Sequence, residues 1–209
     1  MSGALVALEG IDQAGKMTQA RAVQEHVQRR GMSCALRQYP DYETSLGQLI
    51  RSALHDETPL DGRARTMLFA ANRWEKDVEL RGLVETHALV VVDRYSWSNV
   101  VYGLAQGYDE AWLRNLEHGL LEADLTFFLD IPAAESARRK SQDRDGFERN
   151  LELLEVARER YLKFAQEFGW IVMNALRPPE TLTHEILAVL QSRCAGCFPV
   201  PLLPDVSPS

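Results

Sequence analysis

Glu9-Gly10-Ile11-Asp12-Gln13-Ala14-Gly15-Lys16-Met17-Thr18 carries the spacing Gly-x-x-x-x-Gly-Lys. Residues of these types at this spacing can hold phosphate. Gly10 and Gly15 allow the backbone turns that aim successive N–H groups inward. Lys16 adds a mobile positive charge for the outer phosphates. Asp12, Gln13 and Ala14 fill the loop, and Met17 and Thr18 open whatever follows it. The chemistry requires a strand before the loop and a helix after it. Ala4-Leu5-Val6-Ala7-Leu8 is an unbroken apolar run, and Ala20, Val23 and Val27 share one face of a helix expected over residues 18–30. The N-terminus of that helix contributes the positive end of its dipole. A chance match in an inert strand-turn-helix is the alternative, and the context on both sides argues against it. One position departs from the pattern. Met17 stands where a Ser or Thr hydroxyl would hold Mg²⁺, and a thioether is a poor ligand for a hard cation. Thr18 points roughly 100° away around the helix. Either water and another carboxylate hold the metal, or the chain is impaired.

Asp93-Arg94 follows a second buried-type run, Ala88-Leu89-Val90-Val91-Val92. Arg94 can grip a second phosphate bidentately, and Asp93 can reach Mg²⁺ through water. A helix cap with a surface arginine is the competing reading. Phe69 and Arg73 lie four apart, hence side by side on a helix. A ring can stack on a base while the guanidinium donates to a base carbonyl. Periodicity alone favours the blander reading, with Phe69 and Trp74 in the core and Arg73 solvated. Arg138, Arg139, Lys140, Arg144 and Arg149 surround a polar loop that could close over donor phosphates. A solvated helix end with cations at its C-terminus explains the same charges.

The elements that must position these groups alternate. Strands are expected over residues 4–8, 33–39, 88–92, 125–129 and 170–173. Helices are expected over 18–30, 46–54, 63–86, 98–105, 110–121, 133–140, 147–168 and 180–192. The 63–86 helix carries Met67, Leu68, Ala71, Trp74 and Val78 on or near one face. Alternation of this kind means an α/β fold: a P-loop NTPase-type parallel five-stranded sheet with helices on both faces. Ligands then lie beyond the carboxyl ends of the strands, where Gly10, Tyr39-Pro40, Asp93-Arg94 and Asp130 fall. The domain is expected to span 1–193, with a short lid over about 138–150, and to be followed by a flexible tail over 194–209.

The chain has 209 residues, 45% hydrophobic and 25% charged, enough for one domain with a full core. Its net charge of −7 argues against general nucleic-acid binding. No apolar run reaches membrane-spanning length and no signal peptide opens the chain, so a soluble, cytoplasmic protein with no membrane partner is expected. Cys34 reads as core. Cys194 and Cys197 form a lone Cys-x-x-Cys with no second pair for zinc and no thioredoxin-like setting, and no role is expected for it. No Asn-Lys-x-Asp guanine motif occurs, which weakens a switch GTPase reading.

Taken together, Leu8-Glu9-Gly10-Ile11-Asp12 with Ala14-Gly15-Lys16, Leu68-Phe69-Ala70-Ala71-Asn72-Arg73-Trp74-Glu75 and Val91-Val92-Asp93-Arg94-Tyr95-x-x-Ser98 resemble the thymidylate kinase family over about residues 4–192. The resemblance implies transfer of a phosphoryl group from ATP to dTMP with Mg²⁺, for dTTP synthesis, by a homodimer packed through helices on one face of the sheet. Position by position it implies that Phe69 stacks on thymine and Arg73 bonds its O4. Asp12 takes the 3′-hydroxyl, Arg94 holds the dTMP phosphate, and Asp93 works with Mg²⁺. Ser98 lies near the base and Tyr102 lies under the sugar. Tyr39, Pro40 and Tyr42 form the acceptor turn. Three departures follow. Gln13 replaces the loop arginine of human-like members, so Arg139 or Arg144 is expected to supply the catalytic cation, as in bacterial-type members. Tyr42 replaces an acceptor-phosphate arginine, so Arg37 or Arg94 must compensate. Met17 removes the hydroxyl ligand to Mg²⁺. A catalytically weakened nucleotide-binding protein on the same fold, or a kinase for dUMP or dGMP, remains the alternative.

Overall fold

The computed structural model describes residues 3–55, 57–139 and 151–203. Its five strands are β1 (Ala4–Glu9), β2 (Cys34–Gln38), β3 (Leu89–Asp93), β4 (Leu125–Asp130) and β5 (Ile171–Asn174). They form one parallel sheet in the order β2-β3-β1-β4-β5. The helices are α1 (Lys16–Arg29), α2 (Ser45–Leu54), α3 (Gly62–Trp74), α4 (Asp77–Thr86), α5 (Ser96–Ala105), α6 (Glu110–Glu117), α7 (Ala133–Arg139), α8 (Leu151–Phe168) and α9 (Pro179–Arg193).

β1 is buried along its whole length, as its unbroken apolar run requires of a strand covered on both sides. Leu5 and Ala7 pack with Val90, Val92, Leu80 and Tyr95 on one side. Val6 and Leu8 pack on the other with Val91, Phe127 and the α1 residues Ala20, Val23 and Val27. Each large side chain removed from water here contributes about 1.5–3 kcal/mol. The register sets Leu8 beside Asp93 and beside Phe127, so the ends of β1, β3 and β4 open on one rim.

Three expectations change. The helix expected over 110–121 ends at Glu117, because His118 is extended and Gly119 takes φ 101. The single helix over 63–86 is two, α3 and α4, separated at Glu75 and Lys76. Tertiary bonds override local propensity there. Glu75 accepts from Asn72 Nδ2 (2.7 Å) and Thr44 Oγ1 (2.6 Å), Trp74 donates its indole N–H to Leu116 O, and Asp77 accepts from Leu121 N. Met67, Trp74 and Val78 are exposed rather than core. Nor is residue 194 the start of a loose tail. Residues 195–197 form a 3₁₀ turn, Leu202 is fully buried, its carbonyl meets His26 Nε2 at 2.7 Å, and Leu203 N donates to Gln191 Oε1 at 2.6 Å. Cys34 is buried in β2, and burial pushes its thiol up to about 12. Among the described residues no helix is long and apolar enough to cross a membrane.

Candidate active site

The phosphate loop joins β1 to α1. A Cβ at Gly10 would stand 2.7 Å from Leu129 O, so only glycine lets β4 pass this close. Gln13 (φ 58) and Gly15 (φ 88) both take left-handed backbone, the alternation that curls a loop around an anion. Lys16 is the first residue of α1 and is buried, with Nζ donating to Ile11 O at 2.8 Å. Burial lowers its pKa, opposed by the charges of Asp93 and Glu9. Met17 is half-buried behind it and Thr18 is exposed one position further on.

Asp93 ends β3 beside this loop. It is 5% exposed, and its Oδ1 makes no hydrogen bond among the described residues. Burial raises its pKa, Lys16 pulls it down, and Glu9 adds to the rise. The next residue, Arg94, holds φ 64, a conformation costly for a side chain with a Cβ. That turn aims the guanidinium back at the loop. Nη1 donates to Gly10 O (3.1 Å), Nη2 pairs with the Asp12 carboxylate, and the group lies over the Tyr102 ring at 5.6 Å. The capping alternative fails, because Tyr95 is the N-cap of α5 and no side chain caps that helix.

Arg94 and Asp12 border a cavity of about 100 Å³ beyond the strand ends. All nine residues expected on the acceptor side line it: Asp12, Tyr39, Pro40, Tyr42, Phe69, Arg73, Arg94, Ser98 and Tyr102. Arg73 is not solvated. It is 3% exposed, with Nε and Nη2 donating to Glu117 at 2.8 and 2.5 Å. Trp74, the proposed core partner, is exposed. Ser98 Oγ donates to Glu9 at 2.6 Å, and Glu9 also accepts from Tyr95 N (3.0 Å) and Tyr161 OH (3.1 Å), which satisfies a fully buried carboxylate. The Tyr39 hydroxyl is buried without a partner among the described residues, and burial raises it to about 12.

Arg37 does not compensate for Tyr42. It lies off the cavity, tied to Glu79 and Leu36 O. A cation that sequence reasoning did not single out, Arg51, sits 4.7 Å over the Tyr42 ring instead. Arg139 does reach the phosphate loop: Nη1 donates to Gln13 O (3.2 Å), Nη2 to Ala175 O (2.9 Å) and Nε to Glu135 (2.8 Å). Arg138 is exposed and paired with Glu135. Lys140, Arg144 and Arg149 lie outside the described residues, as does most of the expected lid. Asn99 and Glu117 were missed; Glu117 is 44 residues from Arg73, so no local period could have joined them. The pair formed by Asp130 with Arg158 of α8 was missed for the same reason. Among the described residues no group of three His, Cys, Asp or Glu could hold a metal by itself.

A phosphate loop on β1, a second guanidinium station on β3 and a cavity between them on a five-stranded parallel sheet define a P-loop nucleoside monophosphate kinase. The family model described as Thymidylate kinase matches residues 8–186. The chain is 33% identical to a thymidylate kinase of Arabidopsis thaliana over 93% of its own length and 73% of the relative's. It is 31% identical to one of Dictyostelium discoideum, over 91% and 86%. A solved thymidylate kinase structure from Candida albicans superposes with a TM-score of 0.80 at 25% identity, covering 91% of this chain and 92% of that one. The chain belongs to the thymidylate kinase family.

Proposed function

We propose that the chain moves the γ-phosphoryl group of ATP to the phosphate of dTMP, giving dTDP and ADP for dTTP synthesis. The observation that carries this is the pair of facing anion stations, Lys16 with its loop at the end of β1 and Arg94 at the end of β3, adjacent through the Leu8–Asp93 register. In-line transfer needs little covalent help from the protein, so positioning and charge neutralisation carry the rate. The loop amides and Lys16 hold the donor phosphates. The acceptor phosphate displaces Asp12 as the counter-ion of Arg94, which leaves Asp12 free to accept from the 3′-hydroxyl. Phe69 offers its ring to the base, with Arg73 beside it. Arg139, already bonded to the loop at Gln13 O, is placed to answer charge that develops on the transferred group; Arg144 is the alternative source.

Asp93 fits a divalent cation, because its buried Oδ1 has no hydrogen-bond partner among the described residues and the carboxyl lies within the electrostatic reach of Lys16 in the loop. Asp93 would hold Mg²⁺ through water, Met17 contributing nothing, and the ion would neutralise charge on the donor oxygens. The exposed Leu49, Met67, Trp74 and Val78 on α2–α4 support a homodimer closed over these helices, which light scattering at micromolar protein checks. The reaction belongs to the cytoplasm, where both nucleotides are soluble.

The deciding experiment is ADP release with dTMP, dUMP and dGMP in parallel. Turnover with dTMP ahead of the others supports the proposal. Binding of dTMP without ADP release supports the weakened-protein reading that Met17 and Tyr42 motivate. A preference for another base reassigns the acceptor.

A further inference from the structure

We infer that Glu117 is a positioning residue that sets which nucleobase the acceptor cavity takes. The inference rests on the reading of Arg73 as the base-contacting cation. Arg73 lies in the last turn of α3 and Glu117 ends α6. The guanidinium presents one whole edge to the carboxylate, Nε to Oε2 at 2.8 Å and Nη2 to Oε1 at 2.5 Å. Asn99 of α5 donates to the same Oε1 at 2.6 Å and to Thr66 O at 3.2 Å. Arg73, Glu117 and Asn99 are all buried, and a two-point pair at this depth fixes the plane of the guanidinium as well as its position. Nη1 makes no hydrogen bond among the described residues, and Arg73 and Asn99 both line the cavity.

The carboxylate itself is held. Trp74 Nε1 donates to Leu116 O at 2.9 Å, Arg81 Nη2 to Gly119 O at 2.9 Å, and Leu121 N to Asp77 at 3.2 Å, so the chain on both sides of Glu117 is bonded to α3 and α4. Glu117 consumes the Nε–Nη2 edge and leaves the Nη1 side as a donor-only surface. That surface accepts a base with a carbonyl at the Watson–Crick edge and leaves an exocyclic amino group facing another donor, which is costly when buried. The cavity therefore favours a keto over an amino pyrimidine, and Glu117 enforces that choice without touching the substrate.

The test compares kcat and KM for dTMP, dCMP and ATP in the wild type, Glu117→Gln, Glu117→Asp, Arg73→Ala and the Glu117→Gln/Arg73→Ala double variant. Glu117→Gln is expected to raise KM for dTMP at least tenfold, to lower the dTMP-over-dCMP ratio of kcat/KM at least tenfold, and to leave KM for ATP within about twofold. The double variant should be no worse than Arg73→Ala alone. If Glu117→Gln does not fold, Glu117→Asp carries the test, with a rise in KM for dTMP of at least threefold expected. An unchanged base ratio in Glu117→Gln, or in Glu117→Asp where that variant stands in, together with a lowered ratio in Arg73→Ala, overturns the inference. Parallel losses for dTMP and ATP also overturn it, because they mark a merely structural role. An unchanged ratio in Arg73→Ala overturns the reading of Arg73 itself.

Discussion

Replacing Arg94 separates the two functions of one residue. In Arg94→Ala the acceptor phosphate loses a charge-assisted partner worth about 1.5–3 kcal/mol, a factor of roughly 10–150 in kcat/KM for dTMP. Asp12 also loses its counter-ion, and its carboxylate, mostly buried at 16% side-chain exposure, then opposes the incoming phosphate. The combined effect should sit at the upper end of that range. The backbone complicates the reading, because alanine at φ 64 retains the strain that Arg94 carries now. Arg94→Gly removes the charge and relieves the strain, with a stability gain of about 1 kcal/mol over alanine expected. Steady-state ADP release across a dTMP titration, with thermal melts of each variant, keeps the effects apart. Alanine and glycine variants should lose activity alike while glycine melts higher. Near-normal dTMP turnover in either variant would refute the placement of a phosphate station at the end of β3.

Met17→Ser restores a hydroxyl at the second position of α1 and should raise the rate or lower the Mg²⁺ needed for half-maximal activity; an unchanged Mg²⁺ titration counts against the metal argument. Burial raises the pKa of Asp93, so its carboxylate protonates at a higher pH than an exposed aspartate would. As pH falls through that raised value the ionised form is lost, and kcat/KM for ATP should fall with it; Asp93→Asn should flatten this acid limb, and a persisting limb assigns it to another group. Leu202→Ala should destabilise the protein by about 2–3 kcal/mol, because a fully buried leucine leaves a cavity. That is roughly 4–12 °C in Tm, whereas a loose tail would give no shift.

What could be read ahead of the structure follows from the range of each interaction. β1, β3 and β4 were legible because a strand buried on both faces writes itself as an unbroken apolar run, and the site followed because strand ends share a rim. The phosphate loop was legible because its glycines answer a local backbone demand, realised at Gly10 and Gly15. The break at Glu75 was not, since Thr44 and Leu121 enforce it from distant segments. The fate of Arg73 was open for the same reason: its partner Glu117 lies on another helix, and a period along α3 says nothing about it. The docking of Leu202 against α1 was hidden by the Pro-rich composition around it, which suggests disorder when read alone.

The proposed transfer needs the Lys16 loop at one end and Arg94 at the other. A single adenosine–thymidine molecule joined through a chain of phosphates tests this directly. It is predicted to inhibit competitively against ATP and also against dTMP, and to bind far more tightly than either nucleotide alone. Competition with only one of the two substrates would contradict it.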